Sequence, residues 1–198
     1  MYSEVAQADQ TWNSFLDRFP ELGSLHPQVR QIGAKLAERA EELDRFTEAG
    51  AITRIHGDAK GWNFFFAKES SQKKVDQPFL LIDLQWTGRG HPLQDVAYAL
   101  TTSLSEEALD QMDGLVDHYV CRLHTRLQER QISLDVGSLR DQYDMVWLDY
   151  ARVIVTGLWK RLNPDSLEKN KVKVGPSMIN RSMKHVVFIT QRLCRLLL

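Results

Sequence analysis

An α+β fold, mainly helical, is what this sequence predicts, with a small β region set between two blocks of amphipathic helices. Three observations predict it. Apolar residues recur at helical spacing through the first 50 residues; two short runs dense in aromatic and aliphatic residues, 62–67 and 79–86, have strand length; and helical spacing returns from residue 93 to the end. No internal repeat, low-complexity tract or linker divides the 198 residues, which suffice for one domain or lobe with its own core.

Taken in order, Val5, Ala8, Trp12, Phe15, Leu16 and Phe19 share a helical face that stops at Pro20. Val29, Ile32, Leu36, Ala40 and Leu43 make a second face, with Glu38, Arg39, Glu41 and Glu42 on the wet side. Residues 51–55 are short and β-compatible. The runs 62–67 and 79–86 then read as a hairpin presenting Asn63 and Asp83 near each other, joined by a polar loop, 68–78, expected to be mobile. Gly88, Arg89, Gly90, His91 and Pro92 are expected to break the β pattern. Beyond them, 93–104 reads as a helix. Leu115, Tyr119, Leu123 and Leu127 mark another, and Trp147, Ala151, Val155 and Trp159 a third that Asn163-Pro164-Asp165 ends. Residues 166–175 read as an exposed charged stretch, and Ile179, Met183, Val186, Thr190, Leu193 and Leu197 as the face of a last helix.

Composition narrows the partners. Hydrophobic residues at 43% and charged residues at 26% fit a folded, soluble chain. The formal net charge of -1 gives no electrostatic reason to expect nucleic acid. No apolar run approaches the roughly 20 residues of a membrane span, and the polar start Met1-Tyr2-Ser3-Glu4-Val5 has no secretory h-region, so a cytoplasmic location is expected. Cys121 and Cys194 lie far apart in helical patterns and read as reduced core thiols.

The chemistry concentrates in Ile55-His56-Gly57-Asp58-Ala59-Lys60-Gly61-Trp62-Asn63 and Leu81-Ile82-Asp83-Leu84-Gln85. A phosphoryl-transfer site needs one carboxylate to orient the attacking hydroxyl, and an amide and a carboxylate to hold magnesium. Asp58, in a loop between β segments, can accept a hydroxyl proton. Asn63 offers a hard neutral oxygen, and Asp83 an anionic one; magnesium uses few protein ligands beside phosphate oxygens and water. Lys60 is placed to reach a transferred phosphoryl group, or is an ordinary exposed loop lysine. Phe65 shares a strand face with Asn63 and can floor a nucleotide base pocket, or pack as simple core.

This set resembles the aminoglycoside phosphotransferase and choline kinase-like superfamily, nearest to its ecdysteroid-kinase-like (CHK kinase-like) branch. His56-Gly57-Asp58 with Asn63, then Ile82-Asp83-Leu84-Gln85, Trp86-Thr87-Gly88 and Gln94-Asp95-Val96-Ala97-Tyr98 carry the resemblance. It implies a protein-kinase-like C-terminal lobe whose hairpin carries the catalytic and metal loops. It implies ATP and Mg²⁺ as cofactors, Asp58 as catalytic base, Asn63 and Asp83 as metal ligands, and Asp95 as a buried acceptor bracing the catalytic loop, with His56 supporting that loop. As a lobe the chain divides into helices after the hinge (1–50), the catalytic and metal-binding loops (51–92) and a helical subdomain (93–198).

The pattern departs from the superfamily upstream. No Gly-rich loop and no strand lysine precede Asp58, so the N-terminal lobe is absent from this sequence and counts as a candidate partner. The intact trio favours a piece of a small-molecule hydroxyl kinase; the alternative is a non-catalytic binding or scaffold module of the same fold. The face meeting an upper lobe is expected to expose apolar surface near Trp12, Phe15 and Phe65.

Other candidates carry less. Trp147, Asp149 and Tyr150 read as helix core before they read as a receptor for a cationic amine. Arg89 is a phosphate contact or a solvated arginine. His118 and His124 are not one turn apart and no Cys-x-x-Cys occurs, so zinc is unsupported. Ser70, Ser71 and Ser103 lack a nucleophile-elbow context, and Lys169, Lys171 and Lys173 read as a wet loop.

Overall fold

Helix α1 (Ala8–Arg18) forms where Ala8, Thr11, Trp12, Phe15 and Leu16 line one buried face. Pro20, lacking an amide hydrogen, stops it and starts a 3-10 turn (Pro20–Ser24). The computed structural model describes residues 7–49, 52–66, 79–133, 135–172 and 178–198; Val5 and the polar loop 68–78 lie outside the described residues. Helix α2 (Ile32–Ala49) buries Ile32, Leu36, Ala40 and Leu43 and crosses α1 at backbone contact. Gly33 makes that crossing possible: a Cβ there would sit 2.6 Å from the Asp9 Cα and 2.7 Å from the Ala8 carbonyl oxygen.

Helix α5 (Val136–Val153) is the axis of the molecule. It packs against α2, α3 (Gln94–Ser103), α4 (Met112–Glu129) and α7 (Met183–Leu197). Asp135 caps its start by accepting from the Ser138 amide. Its C-terminal end passes into a π-helical turn (Ile154–Leu158) in which the Trp159 amide reaches back to the Ile154 carbonyl at 2.8 Å. Arg18 covers that end. Its guanidinium donates to the carbonyls of Trp159 (3.1 Å), Lys160 (3.0 Å) and Leu162 (2.8 Å), groups a helix terminus otherwise leaves without partners. Phe15 stacks on Trp159 at 4.7 Å between ring centroids, and the Trp12 indole donates to the Val29 carbonyl at 2.7 Å. Each such fully buried aromatic contributes about 1.5–3 kcal/mol by leaving water.

The helical periods place the core well. Trp147, Ala151, Val155 and Trp159 are all buried. In α4 the buried face is Met112, Val116 and Val120, one position around from the expected Leu115, Tyr119, Leu123 and Leu127, which pack at its margin or stay exposed. The preceding helical turns stop before Asn163, as expected, and Asn163 also starts a helix: with Ser166 it forms a reciprocal capping box for α6 (Pro164–Lys171), so the expected charged stretch is helical through Lys171 and buries Leu167. Cys121 is exposed and only Cys194 is buried; both thiols are free.

Two antiparallel ribbons make up the described β structure. Strand β1 (Thr53–Ile55) pairs with β4 (Gly88–Gly90), so the Gly-rich segment expected to break the pattern instead completes it. The packing over Gly90 is close: a Cβ there would meet the ends of the Gln94 and Ile55 side chains, at 2.0 Å and 2.7 Å, and would make them shift. Strand β2 (Phe64–Phe66) pairs with β3 (Phe79–Leu81), with Phe64 opposite Leu81. This hairpin is shorter than the apolar runs suggest. A 3-10 turn (Gly61–Asn63) precedes β2, and after β3 the chain turns left-handed at Asp83 into a second one (Leu84–Trp86). Phe65, Phe66, Phe79, Leu80 and Trp86 are mostly exposed, so the helices hold the fold and the ribbons carry loops. The expected apolar face is therefore at the hairpin alone; Trp12 and Phe15 belong to the core.

Candidate functional site

The loop after β1 is fixed from below by α3. The Asp95 carboxylate, in the first turn of that helix, accepts from the backbone amides of His56 (2.6 Å) and Gly57 (3.0 Å). Gly57 has φ +80°, and a Cβ there would lie 2.3 Å from the Trp86 carbonyl oxygen, so glycine is demanded twice over. His56 is buried and fills both ring nitrogens. Its Nδ1 accepts from the Asp58 amide (3.2 Å), which leaves Nε2 to carry the proton and donate to the Ile82 carbonyl (2.8 Å).

Asp58 sits at the loop's tip, 8% exposed. Its Oδ1 accepts from the Tyr98 hydroxyl (2.9 Å), and its Oδ2 from the Lys60 ammonium (2.5 Å) and the Asn63 amide (3.3 Å). A carboxylate offers about four acceptor positions, so these donors leave room for one more hydroxyl. Burial pushes the Asp58 carboxyl up, but the bonds from Lys60 and Tyr98, the Lys60 charge and Asn63 outweigh it and hold the group below the usual carboxylate range. The Tyr98 phenol moves the other way, up to about 12, through burial and its bond to Asp58.

Asn63 is buried at the end of the 3-10 turn. Its Nδ2 also donates to the Asp58 carbonyl (2.8 Å); both partners can only accept, so the amide group faces Asp58 and the amide oxygen faces away from it. The Ile82 peptide is held on both sides, its amide by the Asn63 carbonyl (3.1 Å) and its carbonyl by His56. That clamp brings the backbone of Asp83 alongside Asn63. Asp83 is exposed and adopts φ 64°, ψ 58°, a conformation that acidic and amide residues tolerate best. The Asn63 carbonyl–Ile82 amide bond thus sets the segment that carries Asp83 beside the segment that carries Asn63. Among the described residues no cluster of three or more His, Cys, Asp or Glu could hold a metal by itself.

Of the other expected residues, Lys60 is bound to Asp58 and half-buried, and Phe65 is 54% exposed on the hairpin beside the loop. Trp147 is core, its indole donating to Thr101 at 3.0 Å, and Asp149 is committed to Arg152 at 2.6 Å. Arg89 lies exposed in β4. Sequence reading missed the function of Tyr98, although it falls three residues after Asp95 and thus on the same helical face. It also missed Ser103, whose Oγ accepts from the Gly61 amide at 2.7 Å; nothing in the local pattern pointed to it.

A mainly helical chain with two short antiparallel ribbons is compatible with a kinase-like class of fold. The chain belongs to the ecdysteroid kinase-like family, whose model matches residues 4–132. Comparison with curated proteins and with solved structures finds no match. No helix among the described residues is long and apolar enough to cross a membrane.

Proposed function

We propose that this chain is the catalytic lobe of an ATP- and Mg²⁺-dependent phosphotransferase acting on a hydroxyl of a small molecule. The observation that carries the reading is the doubly held Ile82 peptide, which ties Asp83 to Asn63 on one side and to the Asp58 loop, through His56, on the other. Asn63 and Asp83 would hold the metal. Magnesium–ATP, when bound, supplies the electrophilic phosphoryl group and neutralises its charge.

This chain's own residues do the rest. Asp58, ionised at neutral pH, would orient the acceptor hydroxyl and take its proton as that oxygen bonds to the γ-phosphorus and the bond from the γ-phosphorus to the departing ADP oxygen breaks. A carboxylate held this acidic is a weak base, which fits a loose transition state in which the proton leaves late. Tyr98 and Asn63 fix the carboxylate's orientation, and Lys60 stands ready to exchange Asp58 for a phosphoryl oxygen. The exposed hairpin aromatics, Phe65 among them, offer an apolar surface for the base.

Calorimetric titration with ATP tests this. Binding is expected only with Mg²⁺, and about tenfold or more weaker in Asp83→Ala. ATP binding that ignores Mg²⁺, or is unchanged in that variant, would favour a non-catalytic scaffold.

A further inference from the structure

We infer that the acceptor site is the cleft beside Lys60 between the catalytic loop and the start of the last helical segment, and that it selects an acceptor carrying an anionic group. The inference rests on the phosphotransferase reading and names the substrate class of that site. The cleft has a volume of about 280 Å³ and is lined by Lys60, Trp62, Thr102, Ser103, Met178 and Arg181, together with Gly61. It adjoins Asp58 through Lys60, which lines the cleft and bonds to that carboxylate.

Its wall has a defined polarity. Among the described residues no acidic side chain lines it. The Lys60 charge is matched by Asp58, whereas Arg181 makes its one described hydrogen bond to a neutral group, the Lys171 carbonyl at 2.9 Å. Among the described residues no carboxylate pairs with Arg181. One net positive charge therefore faces the cleft, and a guanidinium binds carboxylate, sulfate or phosphate through paired donors.

The two hydroxyls are held in place. Thr102 gives its proton to the Tyr98 carbonyl (2.8 Å), so Ser103 is the donor in the 3.3 Å bond between the two hydroxyls, and the Ser103 Oγ also receives the Gly61 amide (2.7 Å). Gly61 permits this approach: a Cβ would stand 3.0 Å from the Ser103 Oγ. Trp62, about half exposed, and Met178 provide an apolar wall. A flat hydroxylated body against Trp62, with its anionic group at Arg181 and its hydroxyl at the Lys60 end toward Asp58, matches this wall.

Three matched probes test the charge preference on the full chain with magnesium–ATP present: 6-hydroxy-2-naphthalenesulfonate, 2-naphthol and 6-(aminomethyl)-2-naphthol. The sulfonate is expected to bind about tenfold more tightly than neutral 2-naphthol, with the amine weakest. Arg181→Gln is expected to erase the sulfonate's advantage while leaving 2-naphthol affinity within about twofold. Equal or reversed affinities, no binding by any probe, or an advantage that survives Arg181→Gln would overturn the assignment. Magnesium–ATP affinity measured in the same samples separates the two readings: intact nucleotide binding with no charge preference rejects the acceptor site alone.

Discussion

Asp95 and His56 are 39 residues apart, yet the Asp95 carboxylate receives the His56 backbone amide at 2.6 Å and the next amide, that of Gly57, at 3.0 Å. One side chain at a helix start thus sets the path of the loop that carries Asp58. Hydrogen bonds to a charged acceptor contribute about 1.5–3 kcal/mol each, with solvent discounting the value at this half-buried position. Asp95→Ala is expected to lower stability by about 2 kcal/mol in urea unfolding and to reduce phosphoryl transfer more than it reduces ATP affinity. Unchanged stability would mean the amides find other partners at no cost.

Gly57 gives a sharper steric test. Its positive φ and the close approach of the Trp86 carbonyl leave no space for a methyl group. Gly57→Ala is expected to cost about 1–3 kcal/mol, read from chemical denaturation. A neutral substitution would show that the loop can re-route.

The depressed Asp58 carboxyl links stability to pH. Its folded value lies below its unfolded one, so the contribution is full above the ordinary carboxylate range and disappears as pH falls through the folded value. Wild type and Asp58→Asn should therefore differ in stability at neutral pH and converge in acid, below about pH 4. Parallel profiles down to low pH would contradict the assignment of that shift.

Two buried histidines act at higher pH. Burial lowers the basicity of His91 and His185, opposed in part by the Gln142 side chain and by the Leu104 carbonyl respectively. The unfolded chain then binds more protons than the folded one, and stability should begin to fall as pH drops through about 6.5. Melting temperature against pH reads this directly; a flat profile between neutral pH and pH 5 would refute it.

Most of the helical core was legible in the sequence, because Trp12, Leu36, Trp147 and Trp159 obey a period that burial enforces. Shorter elements were not. Gly88-Arg89-Gly90 looks like a breaker, and only its long-range partner β1 makes it a strand. Asn163-Pro164 signals both a stop and a cap; the preceding turns stop before it, and the reciprocal bonds with Ser166 make the cap. Asp58, Asn63 and Asp83 stood out in sequence by their order around two short apolar runs, and Asp95 through the family resemblance. Tyr98 and Ser103 are ordinary helix residues in sequence, and their parts depend on which carboxylate or amide the tertiary fold sets against them.

The central claim is that Asn63 and Asp83 serve one divalent ion. Mn²⁺ in place of Mg²⁺ makes that measurable by water-proton relaxation with ATP present, comparing wild type, Asn63→Ala, Asp83→Ala and the double variant. A shared ion predicts about tenfold weaker Mn²⁺–ATP binding in each single variant and a double variant little worse than either, since the ligands act as a unit. Wild-type affinity in both single variants, or strictly additive losses, would contradict the claim.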